Sequence, residues 1–550
     1  MRTAGKVIRV LCISGTLCLA SCNETADMSA VSSMQMEQLN SQLVLHMPDD
    51  GWRTTYEIFV PSFYDSDSDG IGDLKGITEK LDYLNDGIEM TFDDPAYSQI
   101  WLTPICEAVS YHKYDVTDYL AVDDDFGSMA DFENLVQECH SRGIRVIFDL
   151  VANHTSDRHP WFQEAVSYIK SLPEGKEPDA SECRYVDYYN FAKKGGNGFE
   201  KIQGTDWFYE ARFWGGMPDL NLDSEQVRDE IREVIRFWSE KGADGFRLDA
   251  VTSYYTGDTE KSAAFTGWIK QTALQYNPDC YVVGEGWTDQ RIYAQYYADG
   301  IDSMFDFAFA GQDGIITRVV RGNEPASAFA KALENEEALY SSYSSTYINA
   351  PFYTNHDMAR STGYYAGDDG SRTKLAGALN LLMSGNAFVY YGEELGMKGA
   401  GKDENKRAPM YWSADADAQG MCDGPPAMDS VAMKFPSYEE QKDDPYSIFN
   451  YYRNAVRIRN AFPVIAKGRT AAQDISTDKV CAMIRYEENG EDTPVYILIN
   501  TSEENQTADV GYMNEELVLS AVLLTGEQPV VFENNKVQLP PFAVAVLTGR

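Results

Sequence analysis

The chain has 550 residues, 43% of them apolar and 13% aromatic, which suits a multi-domain globular protein with a large core. Its formal charge of −40 repels nucleic acid and anionic headgroups, so nucleic-acid partners are excluded and neutral or cationic ligands are favoured. The nine cysteines show no CxxC spacing; zinc clusters and a dense disulfide framework are excluded, and the pairing of the dispersed ones stays open.

In chain order, Arg2, Lys6 and Arg9 precede an apolar stretch from Val10 to Ala20. That stretch is too short to span a bilayer and reads as an export signal. Its end, Leu19-Ala20-Ser21-Cys22, resembles the lipobox of bacterial lipoproteins. The resemblance implies a signal peptide over 1–21, diacylglycerol on Cys22, and an exported protein tethered outside the cytoplasmic membrane by that lipid alone. The polar residues that follow, to 48, are expected to form a flexible linker.

From 49 to 462 short apolar strands alternate with amphipathic helices. Strands are expected at Thr55–Phe63, Gln99–Ile105, Arg145–Val151, Gly245–Val251, Tyr281–Glu285, Ser303–Phe309, Thr346–Phe352 and Phe388–Tyr391. Eight such units predict an α/β fold of the (β/α)8 TIM-barrel type. Between the third and fourth strands a surplus over 154–222, rich in Gly, Lys and aromatics, predicts a small inserted domain forming one wall of the active site, so the barrel comprises 49–153 and 223–462. Its aromatics Trp207, Phe208, Phe213 and Trp214 are assigned first to the insert's own packing and second to stacking on a ligand. After 463 the pattern changes to short alternating strands at Val480–Tyr486, Val495–Asn500, Leu517–Leu524 and Phe542–Leu547, with a turn at Asn489-Gly490, predicting a C-terminal antiparallel β-sandwich domain.

Three carboxylates, Asp249, Glu285 and Asp357, end the predicted fourth, fifth and seventh strands, at intervals that match whole barrel units of roughly 30 residues or somewhat more. Strand ends on one rim converge, so the three share a cleft. Glycoside hydrolysis needs such a group: one carboxylate at the anomeric carbon and another, its pKa raised by burial and like charge, protonating the leaving oxygen. Asp65-Ser66-Asp67-Ser68-Asp69-Gly70-Ile71-Gly72-Asp73 is a second local signal, with alternate aspartates and glycines able to converge oxygens on a hard cation. Gly76 at the twelfth position and the lack of a preceding helix rule out an EF-hand.

At these residues the chain after 49 resembles the α-amylase family, glycoside hydrolase family 13. The segments that carry the resemblance are Asp149-Leu150-Val151-Ala152-Asn153-His154, Gly245-Phe246-Arg247-Leu248-Asp249, the stretch around Glu285, and Asn355-His356-Asp357. It implies Asp249 as nucleophile, Glu285 as general acid/base and Asp357 as the residue that orients and distorts the sugar. It further implies Arg247 positioning the nucleophile, and His154 and His356 bonding sugar hydroxyls. Tyr111-His112-Lys113-Tyr114 matches the segment that stacks Tyr114 on the reacting ring and adds His112 to the substrate site, and Asp403 and Arg407 match residues holding the next sugar. Asp65, Asp67, Asp69, the Ile71 carbonyl and Asp73 look like the calcium loop after the first barrel strand in many members, implying a structural Ca2+.

Thr252-Ser253 stands where calcium-dependent α-amylases carry Lys-His, which puts a second calcium near Asn153 and Asp219 in doubt. The expected activity is retaining hydrolysis of α-1,4 bonds in starch-derived α-glucans, with Ala250 leaning away from α-1,6 relatives that carry valine there. An oligo-1,6-glucosidase, neopullulanase-like or transglycosylating enzyme is the alternative, and a glucan-binding protein without catalysis the remote one. Oligomeric state, endo or exo action and chain-length preference are not legible in the sequence.

Overall fold

The computed structural model describes residues 30–550 apart from 32, 49, 89–90, 489, 491 and 514–515. The export signal, Cys22 and Asn489 of the expected turn lie outside the described residues. Seven parallel strands form the central sheet, in spatial order Ser303–Met304, Tyr281–Gly284, Gly245–Leu248, Arg145–Leu150, Gln99–Leu102, Thr54–Ile58 and Ala387–Tyr390. Parallel bridges from Phe305 to Ala350 and from Phe352 to Phe388 join the two edges through the expected seventh strand. These strands are buried on both faces, which is why they read as continuous apolar runs.

Several strands are shorter than expected. Thr55–Phe63 ends at Ile58, where Pro61 helps convert the chain to a 3-10 turn over Val60–Ser62. Ser303–Phe309 keeps only Ser303–Met304 as a regular strand, and Thr346–Phe352 keeps only the bridges of Ala350 and Phe352.

The helix Glu225–Glu240 shows how the barrel is packed. Val227, Ile231, Val234, Ile235 and Trp238 recur at helical spacing and are all buried, while charged residues face outward. Gly242 ends the turn with φ of +101°, and a Cβ there would stand 2.7 Å from Val136, so only glycine lets the chain enter the Gly245 strand at this angle.

Between the third and fourth barrel strands lie the helix Pro160–Ser171 and a three-stranded antiparallel sheet of Phe191–Ala192, Phe208–Glu210 and Phe199–Lys201. Bridges from His154 to Asp219 and from Tyr189 to Leu220 close the base of this excursion. C-terminal to the barrel, a five-stranded sheet from Arg469–Gln473 to Val544–Gly549 packs on a four-stranded one, and Val480, Leu498, Val530, Val537 and Leu539 from both share one core.

The expected linker is not free after residue 30. Ala30–Val31 pairs antiparallel with Val530 and Val531, and Ser33–Asn40 is a helix. Met36 is buried in the sandwich core, and Asn40 donates to Asn454 Oδ1 (2.7 Å) and to the Val522 carbonyl (3.0 Å). One buried methionine and one asparagine placed to satisfy buried acceptors are too faint a pattern for sequence to reveal docking. Among the described residues no cysteine is paired, and no helix is long and apolar enough to cross a membrane.

Candidate active site

The fourth and fifth barrel strands run in register, Arg247 beside Val283 and Leu248 beside Gly284, so Asp249 and Glu285 leave adjacent strand ends at the same height. Adjacent strands lie ~4.8 Å apart. Arg247, wholly buried on the same strand, reaches both residues: Nη1 donates to Asp249 Oδ1 at 2.8 Å, and Nη2 lies 2.9 Å from Glu285 Oε2 as a charge contact without hydrogen-bond alignment. Nη1 also donates to Asp149 Oδ1 at 2.8 Å. One guanidinium thus sits against three carboxylates.

The electrostatics follow from that arrangement. Burial raises the Asp249 and Glu285 carboxyls above their ordinary range, against the pull of Arg247. Both carboxyls face the charge of Asp357, but Asp249 receives the aligned hydrogen bond of Arg247 and Glu285 only its unaligned charge contact, which favours a shared proton on Glu285. Asp149, also held by Trp101 Nε1 (3.1 Å) and Tyr114 OH (3.0 Å), is pushed by burial up to about 7. Ala250 takes φ of +47°, a left-handed conformation costly for a residue with a Cβ, and its N–H points at Glu285 Oε2 (3.3 Å).

Asp357 follows the seventh barrel position and is the most open of the three carboxylates. Arg407 Nη2 donates to its Oδ1 at 2.7 Å, and His356 Nε2 lies 3.1 Å from its Oδ2. Although burial opposes ionisation, His356 and Arg407 hold the Asp357 carboxyl well below the usual range. Tyr114 stacks its ring on His356 (centroids 5.5 Å apart, planes 12°).

The remaining expected substrate residues are placed less uniformly. His112 lies beside this cluster, bonded to Ser110 Oγ (2.9 Å) and to the Tyr114 N–H (3.1 Å), and burial lowers it to about 4. His154 is buried with Nε2 on the Tyr114 carbonyl (3.1 Å) and Nδ1 near Asn153 (3.3 Å), so neither ring nitrogen is left for a sugar hydroxyl as the sequence led one to expect. Arg407 is committed to Asp357 and to Tyr111 OH (2.7 Å). Asp403 stays exposed on the rim, linked through Lys406 Nζ, which donates to Asp403 Oδ1 (2.7 Å) and the Asp357 carbonyl (2.8 Å).

The insert's aromatics divide. Trp207 and Phe208 are half-buried, with Lys193 and Lys201 over their rings, whereas Phe213 and Trp214 are exposed, Phe213 5.2 Å from the His154 ring. Trp287, two residues beyond Glu285, is 57% exposed and stacks on Phe307.

In the acidic loop, carboxylate oxygens of Asp65, Asp67 and Asp73 lie within 4.8 Å of one another. Asp69 stands outside that group, its Oδ1 accepting from the Ile71 N–H (2.8 Å). Near the insert, Asp219 accepts from Asn153 Nδ2 (3.3 Å) and the Arg212 N–H (3.2 Å), and Asp219 is pushed up to about 7, by burial first and Glu210 second.

Two site residues escaped the sequence reading. Asp149 was visible in its motif but had no role assigned. Glu57, buried on the first strand, accepts from His356 Nδ1 at 2.7 Å. Its signal was available: a carboxylate inside an apolar strand.

The description "Alpha amylase, catalytic domain" matches residues 57–468. Alpha-amylase 3 of Dictyoglomus thermophilum is 33% identical over 503 residues, covering 90% of this chain and 92% of its own. An oligo-1,6-glucosidase of Heyndrickxia coagulans is 28% identical, covering 75% of this chain and 85% of its own. The solved structure of Eubacterium rectale Amy13B superposes with a TM-score of 0.90 at 46% identity, covering 94% of this chain and 99% of its own. With the family match spanning most of the chain and a buried carboxylate-arginine cluster at the ends of its barrel strands, this protein belongs to the α-amylase family of glycoside hydrolases.

Proposed function

We propose that this enzyme is a retaining α-glucan hydrolase that cleaves α-1,4 bonds of starch-derived oligosaccharides by double displacement. The observation that carries the reading is Arg247 bridging Asp249 and Glu285 at the ends of adjacent in-register strands, the side-by-side arrangement that a retaining enzyme needs. Asp249, kept anionic by the aligned guanidinium, attacks the anomeric carbon. Glu285, protonated, passes its proton to the departing glycosidic oxygen, and the resulting carboxylate then takes a proton from the water that releases the sugar. Asp357, clamped by His356 and Arg407, is placed to hold hydroxyls of the reacting ring.

Ala250 supports α-1,4 over α-1,6 cleavage, and the likeness to both α-amylases and oligo-1,6-glucosidases keeps the second bond type as the competing outcome. Proton NMR of maltoheptaose digestion tests the reading. The α-anomer appears first, and Asp249→Asn and Glu285→Gln abolish turnover; a β-anomer first, or release of glucose from isomaltose but not maltoheptaose, would overturn it.

The converging oxygens of Asp65, Asp67 and Asp73 are hard donors that fit a calcium ion, which would tie the loop after the first strand. The lipobox-like Leu19–Cys22 supports export and a lipid anchor on the outer face of the cytoplasmic membrane or cell envelope. Mass spectrometry of the N-terminal peptide decides this, since an unlipidated mature terminus removes the anchor.

A further inference from the structure

The first barrel strand, Thr54–Ile58, is buried along its whole length and nonetheless carries a carboxylate. Glu57 is 1% exposed, and a buried carboxylate is costly unless it is paired and hydrogen-bonded. Its partner is His356: Glu57 Oε1 accepts from the His356 N–H (3.3 Å) and from Nδ1 (2.7 Å). On the opposite edge of the ring, Nε2 lies 3.1 Å from Asp357 Oδ2 and 2.9 Å from Tyr114 OH. An imidazole with a carboxylate at each nitrogen carries a proton on both.

We propose that Glu57 is a positioning residue for the reaction, the anion behind His356 that holds the ring doubly protonated and turned toward Asp357, so that Asp357 stays ionised and aimed at the sugar. Three features support this. Glu57 accepts from backbone and ring of the same residue, which fixes the tilt of the ring as well as its charge. Tyr114 and Phe59 both lie near-parallel to the imidazole, with centroids 5.5 and 6.5 Å away, so turning the ring disturbs both contacts. Finally, burial opposes the charged ring, yet Asp357 and Glu57 push it up to about 10, and while burial also raises the Glu57 carboxyl, His356 and Arg247 pull it back toward its ionised form. The other titratable and charged groups around it are Asp149, Asp249, Arg247 and Glu285 on the third to fifth strands, His112, and Arg407 against Asp357. Of the carboxylates, Glu57 and Asp357 are the two that contact the ring nitrogens.

The kinetic part rests on the proposed glycosidase roles; the protonation state does not. Glu57→Gln keeps the shape and an acceptor at Nδ1 but removes the anion, so the ring loses its second proton at lower pH. The expected result is a kcat on maltoheptaose reduced by roughly tenfold to a hundredfold. By 15N-histidine NMR the His356 ring turns from imidazolium to neutral imidazole at a pH lower than in wild type by about one to three units. Glu57→Asp, which keeps the charge, recovers part of that shift, and it carries the same readout if Glu57→Gln does not fold. An unshifted ring titration, with activity loss that only follows thermal stability, would overturn the proposal.

Independently, 15N-histidine NMR of the wild-type enzyme at pH 8 should show His356 as imidazolium, its resonance identified by its absence in His356→Asn. A neutral ring there overturns the proposal even if maltoheptaose is cleaved. An imidazolium in an enzyme that leaves maltoheptaose untouched would instead refute the proposed substrate and keep the assignment of Glu57 as the anion behind the ring.

Discussion

Removing the guanidinium of Arg247 is the most searching perturbation of this site. Arg247→Met preserves much of the side-chain volume but leaves Asp149, Asp249 and Glu285 buried around a vacated positive charge. Breaking a buried ion pair by deleting one partner costs about 3–5 kcal/mol, and here one cation serves three anions. The carboxylates respond by taking up protons, so their folded-state pKa values, already raised by burial, rise further.

The sign of the pH dependence follows. Groups whose folded pKa lies above the unfolded value bind more protons in the native state, so their contribution is present at low pH and lost as pH rises through the folded values. The stability difference between variant and wild type therefore widens as pH rises, for Asp149 from about pH 7 upward, by up to about 1.4 kcal/mol per pH unit for each proton involved. Differential scanning calorimetry of both proteins as a function of pH measures it, with kcat on maltoheptaose expected to fall roughly a hundredfold or more in parallel. If Arg247→Met melts within about 1 kcal/mol of wild type at pH 7, with an unchanged pH slope, the three-carboxylate account of Arg247 is wrong.

The left-handed Ala250 predicts that Ala250→Gly raises stability by about 1 kcal/mol, while the β-branched Ala250→Val lowers it by about as much or more; a less stable glycine variant in thermal melts would contradict the strain. For the acidic loop, chelation lowers the melting temperature and Asp67→Asn abolishes that response. Asp67 is the discriminating choice, because Asp65 also accepts three backbone N–H groups and its loss would destabilise without any metal. A melting temperature indifferent to chelator withdraws the calcium. Asn40→Ala should cost about 1–3 kcal/mol by orphaning Asn454 Oδ1 and the Val522 carbonyl, whereas Glu37→Gln, on the partly exposed side of its pair with the buried Arg453 and still offering an acceptor, costs under ~1 kcal/mol; equal effects in urea melts would mean the N-terminal helix is not docked through Asn40.

What the sequence determined by itself is the architecture and the chemical class. Buried parallel strands leave continuous apolar runs, amphipathic helices leave a helical period, and carboxylates that end otherwise apolar strands are conspicuous, so Asp249, Glu285 and Asp357 could be read directly. The tertiary structure alone decided how these groups are tied together, because hydrogen-bond partners distant in sequence leave no periodic signal. Glu57 meets His356 from the far end of the barrel sequence, Arg247 turns out to serve three carboxylates, and His154 spends its nitrogens on the protein. The same holds for the N-terminal segment. Composition made it a linker, and only the pairing of Ala30–Val31 and the seating of Met36 and Asn40 made it part of the folded body, since a few well-placed buried contacts outweigh the polar character of their neighbours.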